Sequence, residues 1–122
     1  MSDKRAIDLP GSTTYGPYSP GVVAKGMVWL SGQIAPDAGD LQAQVAGALE
    51  KIDALLALAR CSKHDLTFVQ VLLADMGDFG AMNEVYGSWL EGVAIKPARA
   101  AFQAAALPAG AAVEIVAQAV VP

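Results

Sequence analysis

Twice along this chain, apolar residues spaced three and four apart lie between segments whose apolar residues alternate or run together. This switch from a strand-like period to a helical one and back constrains the fold more than any other feature of the sequence. From Leu41 to Arg60, the residues Leu41, Val45, Leu49, Ile52, Leu55/Leu56 and Ala59 form one stripe. Asp40 is placed to cap this helix, and Arg60 falls in its last turn, where a cation suits the dipole. A second stripe, Phe79, Met82, Val85/Tyr86 and Trp89/Leu90, follows Asp78 as a candidate cap and ends at Glu91-Gly92.

The remaining segments read as strands: Lys4–Leu9, a hairpin of Val22–Ala24 and Met27–Ser31 around Lys25-Gly26, and Leu66–Asp75. Ala98–Leu107 and Ala112–Val121, separated by Pro108-Ala109-Gly110, read as a second hairpin. The order β-β-β-α-β-α-β-β predicts one α+β domain over residues 1–122, a mixed sheet with both helices on one face. Its other face has no helix to cover it.

Composition bears on that uncovered face. Counting the 12 glycines and leaving out the 3 tyrosines, the apolar share is about 61% against a usual ~45–50%, while charged residues make up only 16%. A domain of 122 residues has little interior for so much apolar surface, so an oligomer that buries the open sheet face is expected. The same composition excludes a disordered chain. The lone Cys61 excludes a disulfide scaffold and suggests a reducing, cytoplasmic compartment. The polar start, Met1-Ser2-Asp3-Lys4-Arg5, is not followed by an apolar signal region, and no apolar run is long enough for a bilayer. A net charge of -4 without a basic cluster argues against nucleic acid and against a ribonuclease.

Scarcity of charge also singles out candidate chemistry. Between Ala100 and Pro122 the only ionisable side chain is Glu114, in the alternating run Val113–Gln118, and the nearest cation in sequence is Arg99. A carboxylate on an apolar strand is costly unless paired, hydrogen-bonded or solvated. If the two share a hairpin, they can form a pocket in which the guanidinium holds a carboxylate and Glu114 manages a proton or a water. An interface salt bridge, or a solvated glutamate at a strand edge, is the competing structural role.

Other candidates are weaker. Cys61 and His64 stand three apart without the further ligands a metal site needs, and Cys61 lacks a neighbouring base. Tyr86 and Trp89 fit a core or an interface. Gly16-Pro17-Tyr18 and Ser31-Gly32-Gln33 read equally as a rigid turn and a strand exit. No phosphate-binding loop, dinucleotide fingerprint, nucleophile elbow or metalloprotease motif is present.

In order and spacing, several blocks together resemble the RidA/YjgF family of reactive-intermediate (enamine/imine) deaminases. They are Tyr15–Gly21, Val28–Ile34, Leu73–Phe79, Met82–Tyr86, Lys96–Arg99, Ala106–Gly110 and Val113–Ile115. The resemblance implies a chorismate-mutase-like fold, assembled as a homotrimer around a barrel-like core with clefts between subunits. It implies hydrolysis of small 2-imino or 2-enamino acids, such as 2-iminopropanoate or 2-iminobutanoate, to the 2-keto acid and ammonia. Neither a metal nor an organic cofactor is implied, nor a membrane partner.

By motif, Arg99 matches the family's carboxylate clamp and Glu114 the residue that orients or activates water. Tyr18, Ser31 and Asn83 match pocket positions, and Gly32 belongs to the same wall. There is one departure: members with imine deaminase activity tend to carry Cys, Ser or Thr two residues after the arginine, where this chain has Ala101. That position keeps backbone N–H and C=O groups but offers no side-chain polar contact. A different enamine, of the aminoacrylate or aminomuconate type, and a non-catalytic ligand-binding trimer are therefore the alternatives.

Overall fold

The computed structural model describes residues 3–122. Six strands and two α-helices follow the predicted order: β1 (Arg5–Ile7), β2 (Gly21–Ala24), β3 (Met27–Gln33), α1 (Leu41–Leu58), β4 (Leu66–Leu73), α2 (Phe79–Trp89), β5 (Ala98–Gln103) and β6 (Val113–Val120). The sheet is mixed, with spatial order β1-β2-β3-β6-β4-β5. All its pairs are antiparallel except β4 with β5, and α2 supplies the crossover a parallel pair requires.

Period explains the helices. In α1 the predicted stripe is the buried face: Val45, Leu49, Ile52, Leu55 and Leu56 pack against Val28 and Leu30 of β3, Val69, Val71 and Leu73 of β4, and Val113 and Ile115 of β6. The Asp40 carboxylate accepts from the Ala43 N–H at 2.9 Å, as a cap should. The other end departs from expectation. The helix stops at Leu58, and Arg60 lies beyond it in the left-handed region (φ 60°) rather than in the last turn. The Arg60 N–H donates to Ala57 O and the Cys61 N–H to Leu56 O, a Schellman closure that satisfies the last carbonyls without glycine. Asp78 likewise makes no side-chain cap. Asp75 does so one turn earlier, accepting from the Gly77 N–H at 2.8 Å to start a 3₁₀ turn that runs into α2.

The second hairpin does not form. Chain leaving β5 passes over the end of β4 and returns on its far side, so β6 pairs with β4 and β3 and never with β5. Both edges of β4 are thereby used, and the ladders run on past the strand: the Ala104 N–H donates to Leu73 O and the Ala74 N–H to Ala112 O. A strand whose alternate residues Val69, Val71 and Leu73 are all buried is a central strand, and a central strand needs a neighbour on each side.

Along β6 the pleat sends Val113, Ile115, Ala117 and Ala119 under the helices and leaves the intervening residues on the open face. That face is apolar: Met27, Trp29, Phe102 and Val120 are exposed, and one row across the sheet runs Val22, Trp29, Gln118, Phe68 and Ala98. No helix among the described residues is long and apolar enough to cross a membrane.

One buried polar side chain ties α1 to the sheet. Gln44 donates from Nε2 to Gly39 O at 3.0 Å, and its Oε1 accepts from the Ala112 N–H at 2.9 Å, just where β6 begins. Gln44→Leu keeps the volume but strands both backbone partners. Urea unfolding is expected to show a loss of about 1–3 kcal/mol.

Candidate active site

The candidate residues fall into two groups, because β4 stands between β5 and β6. Arg99 is in register with Val69, on the helix-covered face, whereas Glu114 is in register with Leu72, on the open face. Arg99 and Glu114 therefore do not share a pocket within one chain, and the neighbourhood expected from a shared hairpin is corrected accordingly.

The first group surrounds Arg99. Its Nη1 donates to Asn83 Oδ1 at 2.6 Å, and its Cζ lies 5.0 Å from the Tyr86 ring centroid and 5.5 Å from that of Phe79. All three partners come from α2, where residues 79, 83 and 86 occupy one face. The rings stabilise the cation and limit its rotamers, leaving most of the guanidinium fork for another acceptor. Among the described residues no carboxylate pairs with Arg99. Ala101 lies two residues along the same face, half-buried against the core.

Phe79 and Tyr86 were legible as helix-face residues but not as the walls around a cation. The signal was an asparagine set between two aromatics at helical spacing. Burial pushes the Tyr86 phenol pKa up, against a smaller lowering by Arg99, so the hydroxyl stays protonated. It is enclosed without a hydrogen-bond partner among the described residues.

In the second group, Tyr18, Ser31, Gly32 and Glu114 all line one cavity of about 840 Å³. Ser31 fastens the preceding loop to the sheet: its hydroxyl donates to Ser19 O at 2.6 Å and its N–H to Pro20 O at 2.9 Å. The Tyr18 hydroxyl accepts from the Tyr15 N–H at 3.2 Å, closing the loop on itself. Gly32 is required for space. A Cβ built there would come within 2.6 Å of Glu114 Cδ, because the Glu114 side chain lies flat across the glycine.

Burial raises the Glu114 carboxyl pKa above its ordinary value, and among the described residues the carboxylate accepts no hydrogen bond. It is thus a carboxylate with unused lone pairs at the wall of a cavity. Gln33, Lys51 and Tyr15 also line this cavity; Gln33 belongs to the Ser31-Gly32-Gln33 run singled out in the sequence, whereas Lys51 lies on α1 with no motif to mark it. Lys51 is held there by donating to Ile34 O at 2.6 Å.

The weaker candidates stay outside both groups. Cys61 is buried, with its Sγ 3.6 Å from the carbonyl oxygens of Ala59 and Val120, and burial pushes its pKa up, away from nucleophilic behaviour. His64 sits exposed in a 3₁₀ turn capped by Ser62. Among the described residues no cluster of His, Cys, Asp or Glu could hold a metal ion.

Comparison with known proteins decides the family. Residues 11–121 match the family model described as "Endoribonuclease L-PSP". The chain belongs to this family, that of the YjgF/RidA proteins. A mouse (Mus musculus) relative named 2-iminobutanoate/2-iminopropanoate deaminase is 41% identical over 112 residues, covering 86% of this chain and 82% of its own. E. coli TdcF, solved with bound serine, superposes with a TM-score of 0.87 at 35% identity, covering 95% of this chain and 98% of TdcF. The Rid-family protein YyfA from Yersinia pestis gives a TM-score of 0.86 at 32% identity, over 96% and 98% of the two chains.

Gly32→Ala is expected to fold but to displace the carboxylate, and a crystal structure of the variant should show Glu114 turned away from the cavity. Glu114→Gln should affect stability with a particular sign. The raised folded-state pKa means that ionisation is costlier in the folded than in the unfolded chain. Stability is therefore greatest below the ordinary carboxyl pKa and is lost as pH rises through the folded one. The variant should melt at a higher temperature than the parent near pH 7, and the difference should vanish below about pH 4.

Proposed function

We propose that the chain is a hydrolytic deaminase of 2-imino (2-enamino) acids that works as a cytoplasmic homotrimer, with sites completed between copies. The observation that carries this reading is the division of the site. Among the described residues, an aromatic-walled arginine with no carboxylate partner and a carboxylate that accepts no hydrogen bond lie on opposite faces of one sheet, and each lacks what the other supplies. The apolar open face supports assembly, and in a ring of copies the Arg99 group of one can meet the Glu114 group of the next. The names of the relatives and the serine bound to TdcF support a small amino-acid-derived ligand.

In this reading, Arg99 takes the substrate carboxylate through its outward N–H groups while Asn83 and the rings hold it still. Glu114 accepts a proton from water as the oxygen adds to the imine carbon, and the raised pKa of its carboxyl suits it to that exchange. That proton passes to the nitrogen to give a carbinolamine; Glu114 then takes the hydroxyl proton and returns it to the nitrogen as the C–N bond breaks, which releases ammonia and leaves C=O in place of C=N. The balance is imino acid plus water giving keto acid plus ammonia. Tyr18, Ser31 and Gly32 wall the pocket, and Ala101 lines it without a polar side chain. An imine carbon is already electrophilic, so orientation and one managed water suffice for the chemistry.

Arg99→Ala and Glu114→Gln should each lower kcat/KM at least a hundredfold for an imine generated in situ by an amino-acid oxidase. Co-expression of the two variants is decisive, because mixed trimers contain interfaces with both native residues. About a quarter of the parental activity should return if sites are shared between copies. No recovery would place each site within one chain, and no acceleration by the parent protein would refute the reaction.

A further inference from the structure

In the single chain, the cavity beside Glu114 is larger than the smallest substrates need. Its 840 Å³ lies within the roughly 300–1,000 Å³ of clefts that enclose drug-sized ligands, whereas 2-iminopropanoate carries only a methyl beyond its carboxylate and imine. We propose that this cavity is a side-chain subsite, and that the preferred substrates are 2-imino acids bearing a large apolar or aromatic side chain. The proposal rests on the deaminase reading and adds to it the class of substrate.

Three features of the cavity support this assignment. Its lining runs from Glu114 and Gly32 past the end of β3 to Lys51 of α1, and Leu9, Pro10, Tyr15, Ile34 and Pro36 give it apolar surface beside the polar Ser12, Thr14 and Gln33. Such a wall offers an apolar side chain burial and offers a short one nothing. The wall is also stiff. Ser31 pins the Tyr15–Pro20 loop, Lys51 pins Ile34, and two of the wall residues are prolines.

Position matters equally. The α1 end of the cavity lies on the helix-covered side of the sheet, away from the open face proposed for assembly. On the opposite half-site, Ala101 presents a methyl rather than a hydrogen-bonding group near Arg99, so that wall imposes no polar requirement on the substrate. Polar residues also line the cavity, but Thr13 and Asp37 are exposed and can remain solvated, and the Lys51 ammonium is already bonded to Ile34 O.

The test compares imines generated in situ from phenylalanine and from alanine, and in parallel the calorimetric binding of phenylpyruvate and pyruvate. For the parent protein, kcat/KM and affinity should each favour the phenyl compound at least tenfold. Ala38→Trp and Thr13→Trp fill the cavity from exposed positions in its lining, and either should reduce that preference at least tenfold. A parent that hydrolyses the alanine-derived imine as well as the phenyl one overturns the subsite and leaves the deaminase reading intact. A preference that neither tryptophan variant changes also overturns it. Tight, tryptophan-sensitive binding of phenylpyruvate with no hydrolysis of either imine upholds the subsite and refutes the deaminase reading.

Discussion

The placement of chemistry in this molecule depends on the two satisfied edges of β4. Its buried side chains put it in the sheet interior, where every backbone N–H and C=O has to find a partner in a neighbouring strand. β5 takes one edge in parallel through the α2 crossover, and β6 takes the other in antiparallel. The consequence is a separation of charges. The strand bearing Arg99 is driven to the sheet edge beside α2, and the strand bearing Glu114 is driven inward against β3.

The two charged groups are then prepared by opposite means. Arg99 is held by contacts: one hydrogen bond from Nη1 and two aromatic faces, all from α2. Its charge needs no desolvated counter-ion, because the rings stabilise a cation without neutralising it. Glu114 is positioned by a missing side chain, since only a glycine at position 32 leaves room for its carboxylate against β3. Partial burial then makes its ionised form costlier. A preorganised cation and a carboxylate nearer to proton exchange are complementary to a substrate that carries a carboxylate and reacts with water.

The sequence carried the elements well, because both helices and the alternating strand Val113–Val120 have strong, uninterrupted periods. It could not carry the pairing of β5. That strand is Ala-Arg-Ala-Ala-Phe-Gln, whose small side chains suit either a hairpin or a crossover, and the Pro108-Ala109-Gly110 turn mimics a hairpin loop. The helix ends depart from expectation for local reasons: a left-handed Arg60 where glycine is usual, and an Asp75 cap one turn before Asp78. At the site, Arg99 and Glu114 stood out by scarcity of charge and by family resemblance. Their distribution over two faces followed from a register that no short motif encodes. Phe79 and Tyr86 were hidden because a ring facing a cation and a ring facing the core have the same helical spacing.

The apolar excess of the composition now divides among three locations. Part forms the core between α1 and the sheet, and part lines the cavity from Leu9 to Leu55. The rest lies on the open face, where Met27, Trp29, Phe102 and Val120 are exposed on a surface with no helix of its own. Phe102 is in register with Leu72, and Leu72 with Glu114, so this apolar face reaches the carboxylate itself. Any copy packed on that face would also remove water from around Glu114 and bring its own side chains to the cavity mouth. In the proposed assembly, covering the apolar face and completing the site would then be one event.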